Sequence, residues 1–159
     1  MISKGEKIDT GITLKVCQQG TIRETAFSDL LTRKTIVSVY MKNNTGSCDK
    51  QNKSLAAHSA EFDELGFNVL AISKDTCRSH KNYSDKLDIG YTLVSDPDYV
   101  FASATDSIVK KKMYGKTFDA PSRSAFVINT DGTVLEVIEK IDAENHSEEL
   151  LDLIKSSSL

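Results

Sequence analysis

Two runs of consecutive apolar and β-branched residues, Thr35-Ile36-Val37-Ser38-Val39-Tyr40 and Phe67-Asn68-Val69-Leu70-Ala71-Ile72, flank one long segment of helical character. Runs of this composition suit strands buried on both faces. Two neighbouring strands joined through a single helix run parallel, and their crossover is right-handed. In the intervening segment, from Ser47 onward, Leu55, Ser59, Phe62 and Leu65 share one helical face. Gly66 follows, where a helix commonly ends on a left-handed residue. This unit constrains the rest of the chain to a layered α/β arrangement.

The flanking segments extend the pattern. Ile12–Val16 and Thr21–Thr25 alternate around Gln18-Gln19-Gly20, an N-terminal hairpin, and Ser28–Leu31 reads as a helical turn. After Ile72, Ser73 or Asp75 caps a helix to about Leu87, Tyr91–Val94 is a short strand, and Ser95-Asp96-Pro97 leads into a helix near Tyr99–Thr105. Ser124–Ile128 and Val134–Ile138 flank Asp131-Gly132, a strong hairpin signal, and a last helix spans about Ser147 to Ile154. The order βαβαβα then ββα predicts a mixed sheet, parallel in its first half, with helices on both faces. A thioredoxin-like fold satisfies it, and so does a flavodoxin-like sheet. With no repeat and no linker, residues 1–159 read as a single domain.

Composition narrows the function. Lysine and arginine number 20 against 23 acidic residues, a net charge of −3, which lacks the basic excess of a nucleic-acid binder. No apolar run reaches the ~18–20 residues of a membrane span, and Met1–Lys7 lacks the apolar stretch of a signal peptide, so a cytoplasmic protein is expected. Three cysteines, Cys17, Cys48 and Cys77, without a C-x-x-C, exclude a secreted disulfide scaffold and a four-cysteine zinc site. Cys77-x-x-His80 has ligand spacing, but no second pair completes a metal site, and no cofactor motif is present. His80 and His58 read as polar residues on helix faces, His146 as a helix-start residue.

The topology concentrates the chemistry. Segments leaving the two parallel strands, Met41–Cys48 and Ser73–Cys77, emerge on one edge of the sheet, where α/β ligands gather. A strand beginning near Arg123 and antiparallel to these starts at the same edge. Cys48 falls in the first helical turn among Asn43, Asn44, Thr45, Ser47, Asp49 and Lys50, where helix-start amides favour a thiolate. Arg123 adds a favourable charge. Cys17, at the end of an edge-like strand, reads as a small hydrophobe without a redox role.

These residues resemble the peroxiredoxins. Thr45-x-x-Cys48 between a strand and a long helix is similar to the family's active-site segment. Val94-Ser95-Asp96-Pro97, Lys111–Lys116 and Ser122–Gly132 resemble the bacterioferritin comigratory (PrxQ) subfamily, and the likeness runs from about Ile12 to Leu153. The resemblance implies a thioredoxin-like fold and a thiol-dependent peroxidase acting on hydrogen peroxide or alkyl hydroperoxides. It implies Cys48 as the peroxidatic cysteine, Thr45 and Arg123 as residues holding and polarising the peroxide, and thioredoxin or another thiol as reductant. A monomer or weak homodimer without cofactor is expected. A redox sensor relaying oxidation of Cys48 to a protein partner is the alternative.

Two departures stand out. The usual active-site proline is Met41, and the subfamily's resolving-cysteine places are Lys53 and Ser84. Cys77, at the start of the next helix, is the favoured resolving cysteine, beside a cycle in which an external thiol reduces Cys48 directly and a reading of Cys77 as an ordinary helix-start residue with no redox role.

Overall fold

The computed structural model describes residues 1–159. In chain order it begins with β1 (Thr13–Gln18), β2 (Thr21–Ala26), α1 (Phe27–Leu30) and β3 (Thr35–Val39). Next come α2 (Gly46–Glu64), β4 (Asn68–Ser73), α3 (Cys77–Leu87), β5 (Thr92–Ser95) and α4 (Val100–Ala104). The chain closes with β6 (Ile108–Met113), β7 (Lys116–Pro121), β8 (Ala125–Ile128), β9 (Val134–Ile138) and α5 (His146–Ser156).

Seven strands form one sheet in the order β2-β1-β5-β4-β3-β8-β9. The apolar runs are central: β3 pairs parallel to β4, and β4 parallel to β5. Antiparallel β1 and β8 border that core, so the sheet is mixed, with an N-terminal hairpin at one side. This is the thioredoxin-like arrangement.

Alternation along β3 divides the side chains between two layers. Val37 and Val39 join Leu70, Ile72, Phe27, Phe101 and Phe126 under α1 and α4. Ile36 joins Leu55, Phe62, Val127, Leu150 and Ile154 under α2 and α5, while Tyr40, Cys48, Ala71, Tyr83 and Leu93 cluster beside them. Helix α2 docks through Leu55 and Phe62, both fully buried, each contributing ~1.5–3 kcal/mol of apolar burial. Its end is a Schellman motif: Phe67 N–H donates to Phe62 C=O at 3.0 Å and Gly66 N–H to Asp63 C=O at 3.0 Å, with Gly66 at φ +88°. Leu65, expected on the buried face, is instead 46% exposed, because it is the C-cap residue, past the last turn that packs on the sheet.

Two further features differ from expectation. Strands β6 and β7 form a separate two-stranded ribbon that the sequence pattern did not predict. Lys110-Lys111-Lys112 shows no alternation, since neither face is packed into a core. The signal was Tyr114-Gly115, both at positive φ, a two-residue hairpin turn. Strand β1 is not an edge strand: it lies between β2 and β5. No helix is long and apolar enough to cross a membrane.

Candidate active site

The chain leaving β3 reaches α2 through residues 41–45, and hydrogen bonds fix that path. Tyr40 Oη donates to Asn43 Oδ1 at 2.5 Å, and the Asn43 amide nitrogen donates to Ser79 Oγ at 3.1 Å. Asn43 N–H donates to Asp75 Oδ2 at 2.9 Å, itself held by Ser73 Oγ. The loop before Cys48 is thereby tied to the start of α3, where Cys77 lies.

Thr45 is the N-cap residue of α2, but its hydroxyl donates to Lys42 C=O at 2.8 Å rather than capping the helix. The N–H groups of Gly46, Ser47 and Cys48 accordingly find no side-chain or backbone acceptor, and the next amide, Asp49 N–H, reaches Thr45 C=O at 2.8 Å. These orphan donors and the helix dipole make the α2 N-terminus attractive to an anion. Cys48 is a free thiol, 1% exposed, directly at that terminus.

Arg123 arrives from the opposite side. It sits between β7 and β8, where Val39 N–H donates to Ser124 C=O at 2.8 Å and locks the segment beside β3. Its Nη2 donates to Cys48 Sγ at 3.4 Å. Cys48 and the sequence-distant Arg123 thus meet at the C-terminal edge of the parallel strands, where Thr45 precedes the first turn of α2. Met41, in the position of the usual proline, receives Lys111 Nζ from β6 at 3.5 Å on its sulfur, so the ribbon borders this edge.

Cys77 does not adjoin Cys48 in this arrangement. It is disulfide-bonded to Cys17, with Cα atoms 5.1 Å apart. The expectation that Cys17 is a small hydrophobe on an edge-like strand is corrected by that bond. Its cause is the interior position of β1: Cys17 pairs with Leu93 of β5 and faces the layer that α3 covers. Of the Cys77-x-x-His80 pair, Cys77 is held in its disulfide and His80 by Asn43 and Val94.

A shell of buried aromatic and amide side chains beneath Cys48 was not legible as such. Tyr83 Oη donates to Asp49 Oδ1 at 2.8 Å, Asn52 Nδ2 donates to Cys48 C=O at 3.1 Å, and Tyr40 stacks on Tyr83 at 6.3 Å. Burial pushes both phenols far above their ordinary range, so they remain protonated donors. His80, expected on an exposed helix face, is 1% exposed. Its ring bridges Asn43 Nδ2 at 3.1 Å and Val94 C=O at 3.0 Å, and burial lowers its pKa below 6.5, keeping it neutral. The signal for this shell was parity: Tyr40 shares the strand face of Ile36 and Ser38. His146 is also buried, linking Ser38 Oγ at 3.0 Å to Glu149 Oε1 at 2.8 Å. That serine–histidine–glutamate row is inaccessible and tethers α5 to β3, because Ser38 lies fully buried in the central strand.

The chain is similar to known proteins over most of its length. The model of the AhpC/TSA family matches residues 9–137. A putative peroxiredoxin Bcp of Haemophilus influenzae is 32% identical over 131 residues, covering 82% of this chain and 84% of that protein. Peroxiredoxin Bcp of Xanthomonas campestris is 31% identical over 121 residues, 76% of each chain. Among solved structures, the Xanthomonas campestris bacterioferritin comigratory protein, described for its alkyl peroxide reduction activity, superimposes with a TM-score of 0.85. It is 26% identical and covers 97% of this chain and 98% of its own. BcpB of Mycobacterium tuberculosis gives 0.81 at 26% identity, with 98% of both chains covered.

Proposed function

Because the chain belongs to the AhpC/TSA family of peroxiredoxins, we propose that Cys48 is the peroxidatic thiol of this thiol-dependent peroxidase, served by Thr45 and Arg123 and resolved by Cys77. The activity, reduction of a peroxide by a thiol reductant, is that of its relatives. The observation that carries the assignment of Cys48 is its thiol at the uncapped N-terminus of α2, with the Arg123 guanidinium 3.4 Å away.

The chemistry follows from that arrangement. The Cys48 thiolate attacks the nearer peroxide oxygen, the O–O bond breaks, and the departing oxygen takes a proton and leaves as water or alcohol. Cys48 becomes a sulfenic acid. Arg123 and the free α2 amides stabilise charge moving from sulfur onto the departing oxygen. Thr45 acts differently from a donor: its hydroxyl proton is committed to Lys42 C=O, so its lone pairs accept the hydroperoxide O–H and orient the substrate. Cys77 then attacks the sulfenic sulfur, and water leaves. This step requires the first turns of α2 and α3 to open, as helix ends do at small free-energy cost. Hydrogen peroxide and alkyl hydroperoxides are the substrates, and a thioredoxin-class dithiol is the reductant.

Catalytic peroxide consumption with a dithiol reductant tests the reading. Wild-type protein is expected to turn over repeatedly, and Cys48→Ser to consume nothing above the reductant alone. A single equivalent consumed and then arrest would favour the sensor. Full turnover by Cys48→Ser would refute the assignment.

A further inference from the structure

The disulfide in the structure joins Cys17 to Cys77, while Cys48 beside Arg123 remains a thiol. We propose that this pair is the second stage of a three-thiol relay, in which Cys17 takes the disulfide from Cys48–Cys77 and presents it to an external dithiol. The inference rests on the peroxidatic reading of Cys48 and adds a third catalytic residue to it.

The two sulfurs of the pair differ in access. Cys77 is 3% exposed, whereas Cys17 is half-buried and lines two openings. One is a cleft of about 120 Å³ with Gln19, Gly20, Lys81 and Ser84, and the other is an open groove along the β1–β2 hairpin. Cys17 stands directly across from Ile22 of β2, and opposed residues of an antiparallel pair share a face. Ile22 is 57% exposed, an apolar contact beside the sulfur for an incoming protein. An external thiolate therefore attacks Cys17, and Cys77 is the leaving group. Cys77 is the first residue of the eleven-residue α3, where helix amides stabilise the departing thiolate.

Geometry also gives the relay a direction. A disulfide requires Cα atoms within ~4.4–6.8 Å, which Cys17 and Cys77 satisfy at 5.1 Å with α3 intact. A Cys48–Cys77 bond instead demands opened first turns and rupture of the Asn43–Asp75 and Asn43–Ser79 hydrogen bonds. Transfer of Cys77 to Cys17 lets both helix starts re-form and returns Cys48 to Arg123.

The steps balance. Cys77 thiolate attacks Cys48 Sγ of the sulfenic acid, the S–O bond breaks, and hydroxide leaves as water after taking a proton. Cys17 thiolate attacks Cys77 Sγ, the Cys48–Cys77 bond breaks, and Cys48 leaves as thiolate. One thiolate of the external dithiol attacks Cys17 Sγ, releasing Cys77. Its second thiol then attacks the mixed disulfide, freeing Cys17 and leaving the dithiol oxidised by two electrons.

Fully reduced protein, freed of reductant, is mixed with one equivalent of hydrogen peroxide, quenched at intervals with a thiol-alkylating reagent, and peptide-mapped. Wild type is expected to show Cys48–Cys77 early and Cys17–Cys77 with alkylated Cys48 at the end. Cys17→Ser is expected to stop at Cys48–Cys77, and its turnover with thioredoxin to fall about tenfold or more. Cys48→Ser is expected to keep Cys17 and Cys77 as thiols. The relay is overturned by a wild-type endpoint of Cys48–Cys77 with Cys17 free, by undiminished turnover of Cys17→Ser, or by equally fast Cys17–Cys77 formation in Cys48→Ser. If all three wild-type thiols survive peroxide, the failure lies at Cys48, which refutes the peroxidatic reading together with the relay built on it.

Discussion

Replacing Arg123 with alanine removes the one side-chain charge in direct contact with Cys48. Two unit charges 3.4 Å apart at an effective dielectric of ~20 attract by about 5 kcal/mol. Arg123 is half-buried, so solvent screening reduces this figure. The remainder agrees with the ~2.7–4 kcal/mol, or ~10²–10³ in rate, that a single fixed electrostatic donor contributes to a reaction step. The second-order rate constant of Cys48 with hydrogen peroxide should therefore fall about 10²–10³-fold in Arg123→Ala. Arg123→Lys should recover only part, because ammonium lacks the planar fork that reaches thiolate and departing oxygen together. Rapid-quench alkylation of Cys48 measures that constant, with thermal melting to confirm that each variant is folded. An alanine variant within about threefold of wild type at pH 7 would refute the role of Arg123.

Other consequences are open to measurement. Phe62→Ala should cost ~3–5 kcal/mol, read from urea midpoints, since Phe62 is fully buried between α2 and the sheet; a cost under ~1 kcal/mol would contradict that packing. Reducing the Cys17–Cys77 bond, which closes a segment of sequence separation 60, should lower stability by up to about 4 kcal/mol, seen as a lower urea midpoint in reductant for wild type and not for Cys17→Ser. His80 has its pKa lowered by burial, so the unfolded chain binds its proton more readily. Stability is then lost as pH falls below ~6.5, by at most ~1.4 kcal/mol per pH unit, and the melting temperature should drop less between pH 7.5 and 5.5 in His80→Gln than in wild type. Gly132→Ala should destabilise by ~1–3 kcal/mol, because φ is +90° and a Cβ would meet Thr10 Cγ2 at 2.5 Å.

The central βαβ unit was legible because its apolar runs have no alternative burial. Ile36, Val37 and Val39 leave no polar side for a solvent-facing strand, and Gly66 supplied the conformation that ends α2. The edge where Cys48 and Arg123 meet followed from strand direction alone. What escaped the sequence reading depends on neighbours far along the chain. Cys17 looked like an edge residue because nothing local shows that β5, some 75 positions on, pairs with β1. His80 looked exposed because its partners Asn43 and Val94 belong to other elements. Gln51 and Asn52 weaken the apolar stripe of α2, yet both are fully buried, Gln51 donating to Ser38 Oγ at 2.7 Å and Asn52 to Tyr83 Oη at 3.3 Å. Buried polar groups of this kind follow hydrogen-bond partners from other elements rather than hydrophobic periodicity, although Gln51 Oε1 is left without one.

In the proposed cycle Cys48 receives the peroxide oxygen. The most direct test is peptide mass spectrometry of the Cys17→Ser/Cys77→Ser double variant after one equivalent of hydrogen peroxide, with a sulfenic-acid-specific trap present. The trap is expected on Cys48, at a level tracking the peroxide consumed, and absent when Arg123→Ala is added and the reaction is sampled on the wild-type timescale. Peroxide consumed with Cys48 still recovered as an alkylatable thiol would contradict it.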